Sequence, residues 1–192
     1  MNSLIVGIDE AGRGPLAGPL IVAAVKMYEN TRIDGVKDSK KLKPADREAL
    51  FDIIIKECLM YDIEVIHNSI IDNINILQAT MLGMEFCLKK LYGENDTVFI
   101  DGNYFKFSDG SHKRYNYTTV VGGDDKIFQI SCASILAKVA RDRIMVGMSG
   151  NYPEFNFEQN KGYPTKEHIT AIKKAGISKI HRKTFCIKFI KD

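Results

Sequence analysis

Short apolar segments alternate along the chain with longer segments in which apolar residues recur every three or four positions. The short segments predict strands, because strands in globular proteins usually run four to eight residues. The longer segments predict helices, since that spacing places apolar side chains on one helix face. The predicted strands span 4–9, 20–27, 61–66, 97–100 and 117–121, and the predicted helices span 44–59, 72–92, 128–145 and 166–175.

Individual residues mark the boundaries and the order of these elements. Pro44 suits the first turn of a helix, and Asp72 is predicted to be the N-cap of the next helix. The turn with Pro15 and Pro19 joins the first two strands, which predicts an antiparallel pair. Segment 149–162 is predicted to be a loop. Together the elements predict an α/β fold with a five-stranded mixed sheet flanked by helices.

Length and composition fit one globular domain. The chain has 192 residues, of which 45% are hydrophobic and 27% charged, and it contains no linker-like stretch. We therefore expect a single domain over 1–192, with monomer as the default state. No apolar run reaches membrane-spanning length and no signal-like segment begins the chain, so we expect a cytoplasmic protein without a membrane partner. The cysteines form no C-x-x-C pair and are expected to be buried free thiols.

The charge is distributed unevenly along the chain. The net charge is +3, but residues 160–192 carry nine Lys and Arg against two acids, which leaves +7 there and −4 elsewhere. A basic helical C-terminal segment, 150–192, packed on an acidic body suits a polyanion held over a cation-binding centre. A solvated lysine-rich helix face would give the same count, so the charge alone leaves both interpretations open.

Acidic residues lie at the ends of three predicted strands. Asp9 and Glu10 end the first, Asp101 ends the fourth, and Asp124 and Asp125 follow the fifth. If these strands are parallel neighbours, their acids meet at one edge of the sheet. Two carboxylates ~5 Å apart repel by ~3 kcal/mol at an effective dielectric constant of ~20, so such a cluster takes up protons or binds cations. Oxygen ligands favour Mg²⁺ or Mn²⁺, and two such ions suit a phosphoryl displacement.

Each acid also has a purely structural interpretation. Asp101 precedes Gly-Asn and could form a turn, and either Asp124 or Asp125 could cap the helix that follows. Asp9 and Glu10 are harder to explain in this way, because capping needs one acid and no helical pattern follows. Since adjacent strand residues point to opposite faces, both acids are expected to converge only if the strand ends there.

Other chemistries have weaker support. There is no G-x-S-x-G motif and no His/Cys pair with metal-ligand spacing. The four histidines are scattered, although His181 lies in the basic segment and could contact phosphate.

Five segments of the chain form a recognisable set: GIDEAGRGPLAGP, DSKKL, Asp101-Gly102-Asn103, GGDDKIFQISCASILAKVARDR and NKGYPTKEHITAI. In these segments the chain resembles the ribonuclease HII family, the type 2 ribonucleases H. The similarity runs in order from Val6 to about Phe185. It implies a ribonuclease H-like fold and an endoribonuclease that cuts RNA in RNA–DNA hybrids, and cuts 5′ to single ribonucleotides embedded in duplex DNA.

The resemblance also implies site residues. The catalytic and metal-binding acids, for two Mn²⁺ or Mg²⁺ ions, would be Asp9, Glu10, Asp101 and Asp124. Asp124 is preferred to Asp125 because the family carries Gly-Asp at a fixed distance before the Ile-Ser helix. The substrate-binding residues would be Gly12, Arg13 and Gly14 at the ribose 2′-hydroxyl, Lys40 (with Lys41) at phosphates, and Tyr163 stacked on the sugar 3′ of the ribonucleotide.

The resemblance implies two-metal hydrolysis that leaves 5′-phosphate and 3′-hydroxyl ends, with roles in removing ribonucleotides from DNA and in removing RNA primers. Two other interpretations stay open. One is a related nuclease of the DNA-resolvase type, which a duplex carrying one ribonucleotide would distinguish. The other is a non-catalytic nucleic-acid-binding module, which would show no tight metal sites.

Overall fold

A five-stranded mixed sheet forms the centre of the molecule. The computed structural model describes residues 3–37, 39–110 and 114–190, and the side chain of Lys40 lies outside that description. The strands are β1 (Leu4–Ala11), β2 (Leu20–Tyr28), β3 (Met60–Ile66), β4 (Thr97–Asp101) and β5 (Tyr117–Val120), in the order β3-β2-β1-β4-β5. β2 is antiparallel to both of its neighbours, whereas β1, β4 and β5 are mutually parallel. The predicted five-stranded mixed sheet is confirmed.

Helices cover both faces of this sheet. They are α1 (Pro44–Glu57), α2 (Asn68–Leu91), α3 (Phe128–Ser149), α4 (Phe157–Asn160), α5 (Lys166–Ala175) and α6 (Lys183–Cys186). The four predicted helices are present: α5 has the predicted ends, whereas α1, α2 and α3 differ from the prediction at one or both ends. Sequence analysis missed α4 and α6, because four residues are too few to show a helical repeat. The prediction that 149–162 is a loop was therefore wrong at α4.

Strand β2 shows how the sheet separates two cores. Its even-numbered residues, such as Val22, pack with α2 in one cluster of buried residues. Its odd-numbered residues, such as Ala23, pack with α1 and α3 in another. This alternation is the period of two expected for a strand buried on both faces. At Gly7 on β1, an added Cβ would lie 2.2 Å from the carbonyl carbon of Gln129, so glycine is needed for α3 to pack this closely.

The start of α2 differs from the prediction. The helix begins at Asn68 and is interrupted at Asn75, whose φ is 68°. The side chain of Asn75 accepts the N–H groups of Leu77 and Gln78 at 3.0 and 3.1 Å, and so performs the capping predicted for Asp72. Asp72 instead accepts the N–H groups of Lys183 and Thr184 at the start of α6, 2.9 and 3.0 Å away.

The cysteines are free thiols, as predicted, but not all are buried. Cys87, Cys132 and Cys186 are buried, whereas Cys58 is half-buried after the end of α1. Among the helices that the structure describes, none is both long and apolar enough to span a bilayer.

Candidate active site

Three carboxylates meet where β1 and β4 end their shared ladder. The parallel pairing ends with Ile8 opposite Ile100, so Asp9 and Asp101 are the next residues on neighbouring strands. One oxygen from each of Asp9, Glu10 and Asp101 lies within 4.8 Å of the other two. We call these three residues the acidic cluster. The structure therefore brings together three of the five acids singled out in the sequence.

Both acids of β1 lie inside the strand, which continues two residues beyond its predicted end. Glu10 and Ala11 still pair with β2 after the ladder to β4 has ended. The two carboxylates nevertheless converge, because Asp9 turns back and its Oδ1 accepts the N–H of Glu10 at 2.7 Å. The expectation that the strand must end before the two acids can meet was wrong.

The surroundings of Asp9 disfavour its negative charge. Its side chain is buried, and burial raises its pKa, with Glu10 and Asp101 raising it further by repulsion. A hydrogen bond from Ser134 acts in the opposite direction. The Ser134 hydroxyl lies 2.9 Å from that of Ser39, so a chain of two serines links Asp9 to the segment before α1. A divalent cation would offset the repulsion, and three carboxylates are the hard oxygen ligands that Mg²⁺ or Mn²⁺ prefers.

Asp124 and Asp125 lie in a short 3-10 turn between β5 and α3. The N–H of Gly123 in this turn donates to Asp101 Oδ1 at 2.7 Å, which joins the turn to the acidic cluster. Asp124 is 7% exposed, whereas the side chain of Asp125 is 51% exposed and forms an ion pair with Lys41. Within the described part of the chain, Asp124 is not among the residues whose ligand atoms meet within 4.8 Å.

The structural alternatives for these acids fare differently. The N-cap of α3 is Ile127, so neither Asp124 nor Asp125 caps that helix with its side chain. Asp101 does have a structural partner, since it accepts the N–H of Gly123. That hydrogen bond fixes Asp101 beside Asp9 and is compatible with a second role in the cluster.

A pocket of about 280 Å³ opens beside the acidic cluster. We call residues Gly12–Gly14, which directly follow β1, the glycine–arginine loop. The pocket is lined by the acidic cluster, Ala11, the glycine–arginine loop, Ser39, Ser134, Lys138 and Tyr163. The predicted substrate-binding residues Gly12, Arg13, Gly14 and Tyr163 therefore share one pocket with the three acids. The side chain of Lys40 lies outside the described residues.

The two glycines of the loop serve different needs. Gly12 has a φ of 102°, and a Cβ there would lie 2.2 Å from Nε of Arg141, so both conformation and packing require glycine. At Gly14 an added Cβ would meet nothing within 4 Å, which leaves open space beside the pocket. Arg13 is exposed and its Nη1 lies 3.5 Å from Glu10 Oε1, so a weak ion pair links the loop to the acidic cluster.

Tyr163 lies on the pocket wall at the end of a chain of hydrogen bonds. The N–H of Ser178 donates to His181 Nδ1 at 2.9 Å, so the His181 proton must be on Nε2. His181 Nε2 lies 3.0 Å from His168 Nε2 and donates to it. The proton of His168 is then on Nδ1, which donates to the carbonyl of Tyr163 at 2.9 Å. The tyrosine ring also lies near Lys138, with Nζ 5.7 Å from the ring centre.

Sequence analysis missed the buried basic residues around this pocket. Arg182 was counted with the basic segment, yet it is 0% exposed. The possible phosphate contact of His181 was wrong, because its side chain is 1% exposed and bonded to His168. Arg141 is also 0% exposed. Arg141 comes four residues after Ala137, which lies on the inner face of α3. This helical spacing is the feature of the sequence that indicates an inward-facing arginine.

Comparisons with known proteins agree on one family. Residues 6–188 match the family model described as Ribonuclease HII. A ribonuclease HII of Caldicellulosiruptor bescii is 48% identical over 181 residues, which are 94% of this chain and 85% of that protein. The crystal structure of ribonuclease H2 from Pyrococcus horikoshii has a TM-score of 0.78 and 29% identity, covering 97% of this chain and 96% of that chain.

A more distant structure shares the fold alone. Bst-RNase HIII, solved in complex with Mn²⁺, has a TM-score of 0.69 at 16% identity, covering 96% of this chain and 65% of that chain. Its similarity supports the same ribonuclease H-like arrangement of strands and helices.

Proposed function

The chain belongs to the ribonuclease HII family, and on that premise we propose that it hydrolyses RNA paired to DNA and cuts 5′ to single ribonucleotides embedded in duplex DNA. The products would carry 5′-phosphate and 3′-hydroxyl ends. One observation carries this proposal: the acidic cluster, the glycine–arginine loop and Tyr163 line the same pocket. A site for cations that can act on a phosphodiester therefore adjoins backbone that can approach a sugar closely.

Divalent cations are the proposed cofactor, with two Mg²⁺ or Mn²⁺ ions held by Asp9, Glu10, Asp101 and Asp124. Such ions, when bound, activate the attacking water and stabilise the departing 3′-oxygen. Ser134 and the N–H of Glu10 hold the Asp9 carboxylate in a fixed orientation. The burial of Asp124 next to Gly123 favours it over the exposed Asp125 as the fourth acid.

The remaining pocket residues are proposed to bind the substrate. The glycine–arginine loop would contact the ribose 2′-hydroxyl, Tyr163 would stack on the sugar 3′ of it, and Lys40 would bind a phosphate. The 2′-hydroxyl is recognised and is not the nucleophile, because no histidine among the described residues lines the pocket to activate it. His168 and His181 are buried and bonded to each other.

We also propose a biological setting. The chain would act as a monomer in the cytoplasm, where it would remove ribonucleotides from DNA and would remove RNA primers. It would do so as one catalytic domain, 1–192, with its basic segment 150–192 packed against the body. Exposed lysines on α5, Lys166, Lys173 and Lys174, support duplex binding by that segment. Free thiols are the form expected in a reducing compartment.

A cleavage assay tests the proposal. Three duplexes of one sequence would be used: all-DNA, DNA with a single ribonucleotide, and an RNA–DNA hybrid, each with EDTA, Mg²⁺ or Mn²⁺. We expect cutting of the hybrid and a single cut 5′ to the lone ribonucleotide, both only with metal. Cutting of the all-DNA duplex would instead indicate a resolvase-type nuclease, and binding without any cutting would indicate a non-catalytic module.

A further inference from the structure

Two arginines lie fully buried behind the pocket. Arg141 on α3 and Arg182 before α6 are both 0% exposed. Burial lowers the pKa of Arg182, and the positive charge of Arg141 lowers it further. We call them the arginine pair. Among the described residues, neither forms an ion pair with a carboxylate within 4.0 Å. Main-chain carbonyls surround them instead.

The two arginines bind different stretches of backbone. Arg141 donates to carbonyls of the turn before β2 and of the segment after α4, namely those of Ala17, Pro19 and Lys161, at 2.9 to 3.0 Å. Arg182 donates from Nη2 to the carbonyl of Gly12 at 2.7 Å and from Nη1 to that of Arg13 at 3.1 Å, and its Nε reaches Gly18 at 3.1 Å. Arg182 is therefore the member that holds the glycine–arginine loop.

The direction of these hydrogen bonds determines which way the N–H groups of the loop point. In a planar trans peptide, the C=O of one residue and the N–H of the next point in opposite directions. Because the carbonyls of Gly12 and Arg13 face Arg182 in the interior, the N–H groups of Arg13 and Gly14 face away from it. Within the described part of the chain, neither N–H donates to another residue. The loop that carries them lines the pocket beside the acidic cluster.

We infer that Arg182 is a positioning residue for substrate recognition, which turns the N–H groups of Arg13 and Gly14 toward the ribose of a bound strand. The inference rests on the proposed function and adds a specificity determinant outside the pocket itself. Arginine suits this role because its planar guanidinium offers several donors in a fixed fork. A lysine would keep the charge but could not hold the two adjacent carbonyls in the same geometry. The bond from the N–H of Arg182 to the carbonyl of Leu16, at 2.8 Å, ties the same residue to the turn that follows the loop.

The inference is tested by combining a protein change with a substrate change. Arg182→Lys would be made in an Asp9→Asn background, which we expect to bind the duplex without cutting it. Dissociation constants would then be measured in Mg²⁺ for a duplex with one ribonucleotide and for the same duplex in DNA only. With Arg182 present, one or two hydrogen bonds to the 2′-hydroxyl should favour the ribonucleotide duplex by roughly 2- to 10-fold each. In the Arg182→Lys variant, that preference should fall to about 1- to 2-fold, while affinity for the DNA duplex changes by less than about 2-fold.

A matched control separates positioning from general stability. Leu88→Ala removes a buried side chain of α2 that does not line the pocket, and it should lower the melting temperature without changing the preference. An unchanged preference in folded Arg182→Lys would overturn the inference, as would an equal loss of affinity for both duplexes. Failure of the proposed function would appear separately, as a wild-type protein that does not cut at the ribonucleotide.

A second measurement does not depend on the Arg182 variant being folded. In the ¹⁵N-labelled Asp9→Asn protein, the amide signals of Arg13 and Gly14 should shift more with the ribonucleotide duplex than with the DNA duplex. Equal shifts with the two duplexes would overturn the inference.

Discussion

The acidic cluster and the arginine pair are two groups of like charges in the same protein, and they differ in where their polar atoms point. Both arginines are fully buried, whereas in the acidic cluster Asp9 is buried and the other two carboxylates are half-buried. Burial raises the pKa of Asp9 and lowers that of Arg182 to about 9, so each is displaced toward its neutral form. The guanidinium groups of Arg141 and Arg182 direct their nitrogens to six main-chain carbonyls. The carboxylates instead converge on one point at the edge of a pocket.

This difference separates a binding site from a structural support more clearly than burial or charge does. Charges whose hydrogen bonds all go to the backbone hold a fold in place, since removing them leaves buried carbonyls without donors. Like charges that face one another across a pocket add repulsion that only a ligand or a proton relieves. The first group should therefore stabilise the metal-free protein, and the second should destabilise it.

The largest expected effect is on catalysis at the acidic cluster. Asp9→Asn should reduce cleavage of the single-ribonucleotide duplex by about 1,000-fold, because it removes a charge proposed to hold the cations. Single-turnover kinetics at saturating enzyme would measure the loss. The same substitution should raise the metal-free stability by about 1 to 3 kcal/mol, since it removes repulsion from Glu10 and Asp101. A variant with near wild-type cleavage would place the catalytic centre elsewhere.

The arginine pair should respond in the opposite sense. Arg141→Met leaves the carbonyls of Ala17, Pro19 and Lys161 buried without their donor, and should cost about 3 kcal/mol or more of unfolding free energy. Urea denaturation of wild type and variant at pH 7.5 would measure this cost. Arg143→Met is the matched control on the same helix, because Arg143 is half-exposed and forms a surface ion pair with Glu48. If Arg141→Met lost no more stability than this control, the contrast between the arginine pair and the acidic cluster would fail.

Two adjacent acids test which residue completes the cation site beside the acidic cluster. Asp124→Asn should lower cleavage by about 100-fold if its buried carboxylate completes the cation site. Asp125→Asn should stay within about 3-fold of wild type, because it removes only an exposed ion pair to Lys41. The two variants carry the same chemical change one residue apart, so cleavage rates compare the positions directly. The reverse ranking would move the fourth acid to Asp125.

The smallest effect concerns the histidine pair that supports Tyr163. Burial, together with the neighbouring His168, lowers the pKa of His181 to about 4, and burial also lowers that of His168. Because the unfolded chain takes up these protons near pH 6.5, the stability that the neutral pair contributes is full above pH 6.5 and is lost as pH falls toward 4.

When the pH falls from 6.5 to 5, the free energy of unfolding of wild type should therefore drop by about 2 kcal/mol more than that of His181→Gln. Urea denaturation of both proteins at the two pH values would measure this difference. Equal losses in both proteins would show that the pair does not govern this pH range.

The parts of the fold that could be predicted from the sequence are those that follow from a local pattern of residues. Apolar runs identified β1 and β4, and the acids at their predicted ends identified the edge where three carboxylates meet. The remaining features depend on distant partners. Asp72 caps a helix that begins 111 residues later, and Arg182 reaches the carbonyl of Gly12, 170 residues earlier. No local pattern distinguishes such an arginine from a surface lysine or arginine of a basic segment.

The most direct test of the contrast is cation binding to the acidic cluster itself. Mn²⁺ would be titrated into wild type and Asp9→Asn by calorimetry, with the bound ion followed by electron paramagnetic resonance. Wild type should bind Mn²⁺ with a stoichiometry approaching two, and Asp9→Asn should bind with at least about 10-fold lower affinity. Equal affinity and stoichiometry in the two proteins would contradict the assignment of the acidic cluster as the metal site.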